Sequence, residues 1–132
     1  ESRLVATIAA PAETRQIRDR LLDDHPEIMA EGVGDVTFGG RPVRIRREFL
    51  EDLDTHDITR EVAELGRSLF VFHASGDELL DIDHGLRVFA AANSPKSFVC
   101  LEGADHLLLQ SEQDARYVAR IIAAWAKRNV LR

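Results

Sequence analysis

Two short loops hold the residue types that general acid-base chemistry needs. One reads His73-Ala74-Ser75-Gly76-Asp77-Glu78-Leu79-Leu80-Asp81-Ile82 and the other Glu102-Gly103-Ala104-Asp105-His106. Each follows a short apolar run, S-L-F-V-F-H at Ser68 to His73 and S-F-V-C-L at Ser97 to Leu101. A carboxylate after one strand and a histidine after the next can orient an imidazole as general base, the acid fixing its tautomer and stabilising the imidazolium. Asp77 and His106 are the candidate pair. A second role is open to Asp77, because a loop aspartate commonly accepts turn hydrogen bonds from amides just ahead of it, here Leu79 and Leu80. His73 closes a strand and reads as a packed residue, while His25, His56 and His84 have no partner at a telling spacing. A metal reading would gather His73, Asp77, Asp81, Asp83 and His84, but their intervals match no compact zinc pattern. No metal and no cofactor is expected.

Side chains converge in this way just past the carboxyl ends of strands in an open parallel sheet, and the chain supplies the elements for one. Leu4 to Ile8 (L-V-A-T-I) is a short buried-strand run ending at Ala9-Ala10-Pro11. From Pro11 to Leu22, Ile17, Leu21 and Leu22 recur at helical spacing among Arg15, Arg18 and Arg20 until His25-Pro26 interrupts them. Val36-Thr37-Phe38 and Pro42 to Ile45 flank Gly39-Gly40 and predict an antiparallel hairpin between Asp35 and Ile45. Phe49, Leu50 and Leu53 predict a short helix, and Asp57 caps another through Val62 and Leu65, ending at Gly66. Ser68 to His73 is the central strand candidate. Ile82 to Ala92 is a helix that stops at Asn93-Ser94-Pro95, Ser97 to Leu101 a further strand, and Glu112 to Lys127 the longest amphipathic helix. The order is that of crossover units on a parallel sheet, within one domain or part of one.

Composition narrows the partners. The 132 residues are 45% hydrophobic and 30% charged, as in a soluble globular domain. Seventeen Lys and Arg against 23 Asp and Glu give a charge of −6, which repels phosphate backbones and anionic lipid. No apolar stretch approaches the roughly 20 residues of a membrane span. Nucleic acid and membrane are therefore not expected partners. Cys100 is the single cysteine, so no intrachain disulfide can form; burial is its expected role and a reducing, cytoplasmic compartment the expected location. Phe70, Phe72, Phe89, Phe98 and Trp125 are spaced as core. Arg44, Arg46 and Arg47 cluster on the hairpin, where a solvated strand face explains them better than an acidic ligand.

The paired loops resemble those of the α/β-hydrolase family, whose last two strands precede a G-x-x-D or S-G-D acid loop and a G-x-x-H histidine loop. Here the matching residues are Ser75-Gly76-Asp77 and Gly103-Ala104-Asp105-His106. The opening A-T-I-A-A-P-A, the segment D-V-T-F-G-G-R-P-V-R-I-R-R-E-F-L and the closing G-A-D-H-L-L with D-A-R-Y-V-A-R-I-I-A-A-W are similar to the hydrolase portion of bacterial α/β-hydrolase–OsmC fusion proteins. That resemblance runs over essentially the whole chain. It implies an α/β fold of partial α/β-hydrolase type: three parallel strands with flanking helices, plus a small antiparallel hairpin insert at 34–46, where the family places lids over an acyl pocket. It further implies that Asp77 and His106 are the acid and histidine of a Ser-His-Asp triad acting on carboxylic esters or related acyl compounds.

The departure is the nucleophile. The family's G-x-S-x-G elbow precedes the strand matched by Leu4 to Ile8, and no such motif occurs here; Ser75 lacks its flanks and Ser111 sits where helix capping explains it. Because such an enzyme usually needs about 200–250 residues, residues 1–132 are expected to be the C-terminal part of one hydrolase domain, silent alone. Two rival readings are a non-catalytic module pairing through its sheet edge and one subunit of a split hydrolase. An unpaired edge at Leu4 to Ile8 would template association, so the expected partner is a second copy, most simply in a two-fold dimer, or a separate N-terminal half.

Overall fold

A computed structural model describes residues 4–38, 40–93 and 95–130. Gly39 of the expected hairpin turn and Ser94 of the expected Asn93-Ser94-Pro95 turn lie outside the described residues. In chain order the elements are β1 (Leu4–Ile8), α1 (Arg15–Asp24), α2 (Glu27–Glu31), β2 (Val33–Phe38), β3 (Arg41–Arg46), α3 (Arg47–Leu53), α4 (Ile58–Ala63), β4 (Ser68–Ala74), α5 (Ile82–Ala91), β5 (Lys96–Leu101) and α6 (Glu112–Val130). They form two compact units, residues 1–12 with 59–132, and residues 13–58.

The first unit is built on a three-stranded parallel sheet in the order β1-β4-β5. With a neighbour on each side, β4 is apolar almost throughout instead of alternating, and six of its seven residues are buried. Its alternate side chains serve two faces. Phe70, Phe72 and Ala74 enter a cluster with Leu101, Ala104, Leu108 and Val118, against which Val99, Ile121, Ile122 and Trp125 pack. In α6, positions 118, 121, 122 and 125 recur as one helical stripe, and the Phe70 ring lies 4.6 Å from Phe72 and 5.0 Å from Trp125. The other residues of β4, Leu69, Val71 and His73, point to the opposite face and are equally buried. There α5 comes so close that a Cβ on Gly85 would stand 2.7 Å from His73 Nδ1 and 2.8 Å from its Cβ. Glycine at this helix position is a packing requirement.

The second unit holds the hairpin. β2 and β3 pair antiparallel from Val33 with Arg46 to Phe38 with Arg41, two residues wider at one end than the alternation alone marks. Gly40 has φ +76°, the positive angle that the turn needs. Ile28, Val36 and Leu50 form a small core with Leu21, Leu22, Ile45 and Leu53 against it. Arg44 pairs with its cross-strand neighbour Asp35 at 3.0 Å on the exposed face, as expected for a solvated strand.

Several expectations need correcting. Helix α1 begins at Arg15, not Pro11, and α4 ends at Ala63 rather than reaching Leu65. The five-residue α2 has no counterpart in the sequence reading; Pro26 starts it and Gly32, with φ +85°, closes it before one apolar period is complete. Cys100 is exposed, not buried. Its apolar neighbours in sequence suggest a core strand, but β5 is an edge strand among the described residues, and alternation turns Cys100 outward while Leu101 enters the core.

Replacing Gly85 by Ala adds about 1 kcal/mol of helix propensity but forces a methyl into His73. Against an overpacking cost of about 1–3 kcal/mol, the net expectation is a loss of up to about 2 kcal/mol in urea unfolding, whereas a gain would show that α5 does not press on β4.

Candidate active site

The two loops leave the same end of adjacent parallel strands. Past β4 the chain turns at Ser75-Gly76, and the loops are stitched together as Ser75 N–H donates to Leu101 O at 3.1 Å and Gly103 N–H to Ser75 Oγ at 3.4 Å. Asp77 then folds back on its own loop. Its Oδ1 accepts from Leu79 N–H at 2.9 Å and Leu80 N–H at 2.8 Å, an Asx-type turn that fixes the carboxylate plane. Its Oδ2 lies 2.6 Å from His106 Nδ1. The two roles weighed for Asp77 therefore coexist, one on each oxygen.

The Asp77 side chain has no exposed surface, and that of His106 is 16% exposed. With a carboxylate as acceptor, Nδ1 is the ring nitrogen that donates, so the neutral imidazole carries its lone pair on Nε2. That is the tautomer a general base requires.

The histidine loop is set by its other acid. Asp105 Oδ2 accepts from Leu107 N–H at 3.3 Å and Leu109 N–H at 3.1 Å, and Oδ1 from Gln110 N–H at 3.1 Å. These amides, that of Gln110 foremost, hold the Asp105 carboxyl below its ordinary range. Leu108, inside this ring of bonds, has φ +54° and is buried in the core cluster. A bulky residue takes a left-handed angle only where its surroundings over-determine it; here the carboxylate on one side and the core on the other do so.

His73 is fully buried as expected, yet it is also part of the site. Its Nε2 donates to Leu80 O at 2.8 Å and stands 3.5 Å from Asp77 Oδ2. Sequence reasoning missed this contact, although the spacing of His73 and Asp77 across a strand end and a tight turn was its only signal. His84 is buried too, its Nδ1 accepting from Ala12 N–H at 3.2 Å. His25 and His56 sit in the other unit beside local carboxylates, Glu27 at 3.0 Å and Asp52 at 3.5 Å. Ser111 precedes α6, and its carbonyl receives the Asp114 N–H. Among the described residues no three His, Cys, Asp or Glu side chains gather as a metal set, and no helix is long and apolar enough to cross a membrane.

Comparison with solved structures shows the architecture to which this site belongs. The chain is similar to the esterase domain of a Rhodothermus marinus protein, with 34% identity and a TM-score of 0.76 over 96% of this chain and 51% of that one. Mouse α/β hydrolase domain-containing protein 10 matches with 18% identity and a TM-score of 0.67 over 95% and 52% of the two chains. The α/β hydrolase GrgF from Penicillium sp. sh18 matches with 14% identity and a TM-score of 0.69 over 96% and 55%.

This is a partial α/β-hydrolase fold. The chain spans about half the length of the solved structures it matches. No protein-family model matches it, and no curated protein does so significantly. In this α/β-hydrolase fold the parallel sheet β1-β4-β5 carries the loops of Asp77 and His106 at its strand ends, and β2–β3 form a two-stranded sheet of their own.

The Asp105 bonds make the histidine loop sensitive to acid. A carboxyl whose folded pKa is lowered contributes stability above its unfolded value, here 3.8, and loses it as pH falls through the lowered value. Amide exchange at Leu109 and Gln110 should therefore accelerate, relative to amides of β4, as pH is taken below about 4, and Asp105→Asn should bring the acceleration to neutral pH. Equal protection at Leu109 in the variant and the parent would show that the carboxylate does not hold the loop.

Proposed function

We propose that the chain supplies the acid and the histidine of a Ser-His-Asp triad in a hydrolase acting on carboxylic esters or related acyl compounds. The observation that carries this reading is the 2.6 Å hydrogen bond between a fully buried Asp77 and a partly open His106, formed by loops from two adjacent parallel strands. The similarity to an esterase domain at 34% identity supports the acyl substrate class. Coverage of about half of that domain supports a nucleophile contributed from outside the present sequence, which contains no G-x-S-x-G.

The mechanism follows from the tautomer. His106 Nε2 takes the proton of the serine hydroxyl as its oxygen attacks the ester carbonyl, and the imidazolium is stabilised by Asp77 through Nδ1–H. Collapse of the tetrahedral adduct breaks the bond to the alcohol oxygen, which leaves with the proton from Nε2. Water then repeats the sequence on the acyl-enzyme, with Nε2 again accepting and returning one proton. Asp77 accepts the same hydrogen bond throughout.

β1 lies at one side of the sheet and pairs with β4 alone among the described residues. Its outer edge supports a partner strand, from the segment that bears the nucleophile or from a second copy.

The 132-residue chain alone should hydrolyse p-nitrophenyl acetate or butyrate no faster than its Asp77→Ala, His106→Ala double variant. Co-expressed with the other half of the esterase domain it resembles, it should gain turnover. In that pair His106→Ala should lower kcat by about 10³-fold or more. Turnover in the reconstituted pair that is indifferent to His106→Ala would overturn the assignment.

A further inference from the structure

We propose that His73 is a positioning residue for the acid-histidine pair, holding the Asp77 carboxylate in the orientation that engages His106; the inference rests on the reading of Asp77 and His106 given above. This one imidazole reaches both oxygens of Asp77, Oδ1 through Leu80 and Oδ2 across 3.5 Å. The Leu80 carbonyl can only accept, so the 2.8 Å contact places a hydrogen on His73 Nε2. The same Leu80 gives its N–H to Asp77 Oδ1 at 2.8 Å. His73 thus anchors the residue that anchors Oδ1. Its Nε2 also stands 3.5 Å from Oδ2, too long for a hydrogen bond but close enough for the N–H dipole to draw that oxygen.

The remainder of the His73 environment gives no other reason for an imidazole. Its side chain is wholly buried, and among the described residues its Nδ1 finds no hydrogen-bond partner. That nitrogen faces Gly85, whose missing Cβ leaves the ring its space. A buried nitrogen without a partner works against stability, and an apolar side chain in the same slot would avoid it. What the imidazole returns is the N–H at Nε2, aimed at Leu80 and Asp77. His73 does not face the reacting atoms; it acts through Asp77.

The test reads the tautomer of His106 by ¹⁵N NMR of its ring nitrogens at alkaline pH, in the 132-residue chain and four variants. An amide at the Nε2 position is kept in His73→Gln, while His73→Asn places the amide where Nδ1 stands and takes the donor away from Leu80. In the parent chain the ring should be almost wholly Nδ1–H. His73→Gln should retain that signature, and His73→Asn should shift His106 to a mixture of tautomers while the amide spectrum of β4 and α6 stays folded. Gly85→Ala, which pushes on the ring without altering its chemistry, should produce the same shift and decides the matter if His73→Asn does not fold. A pure Nδ1–H tautomer in folded His73→Asn or folded Gly85→Ala would overturn the positioning role. Asp77→Asn separates the two levels: if it leaves His106 unchanged, the acid-histidine reading itself fails, and if it shifts His106 while the His73 variants do not, only the role of His73 fails.

Discussion

Asp77 has no side-chain surface in water, so its two oxygens must find their hydrogen bonds inside the protein. That constraint organises everything around it. Oδ1 is satisfied by two amides of its own loop, which requires the tight turn at Ser75-Gly76 and the following Leu79 and Leu80 to be in place. Oδ2 is satisfied by a side chain 29 residues away, which requires β4 and β5 to be neighbours in parallel and the histidine loop to be rigid. A hydrogen bond of 2.6 Å to a carboxylate belongs to the short, strong class, and its partner is oriented as much as it is attracted.

The fold meets those demands with two different devices on the two faces of β4. On one face Phe70, Phe72 and Ala74 build an apolar cluster with α6, and Leu108 extends that cluster into the histidine loop itself. The position of His106 is thereby tied to that buried apolar cluster. On the other face, where Leu69 and Val71 are also buried, the polar member is His73. His73 is pressed against Gly85, and its N–H runs to the Leu80 carbonyl beside the acid. The apolar cluster ties the histidine loop to the sheet, and His73 ties the acid loop to β4.

The sequence made the core of this arrangement legible because local signals and topology agree there. Two strand-like runs, each followed by a glycine-containing loop with an acid or a histidine, leave few ways to place Asp77 and His106 other than side by side. Each role of Asp77 was legible, but as an alternative to the other; that one oxygen serves each follows only from the loop geometry. The contact of His73 with Asp77 was not legible, because a histidine ending an apolar strand looks like packing until the turn brings its ring back to the loop. Cys100 misled for the opposite reason: apolar neighbours along the chain say nothing about whether a strand is central or at an edge. The short helix α2 was hidden because five residues between a proline and a glycine do not complete an apolar period.

The central claim is that Asp77 and His106 act as one coupled unit, and a double-mutant cycle in urea unfolding measures that coupling directly. With Asp77→Ala, His106→Ala and the double variant compared with the parent chain, the account predicts an interaction free energy of about 1.5–3 kcal/mol, as for a hydrogen bond to a charged group. Additive effects, with a coupling below about 0.5 kcal/mol, would contradict it.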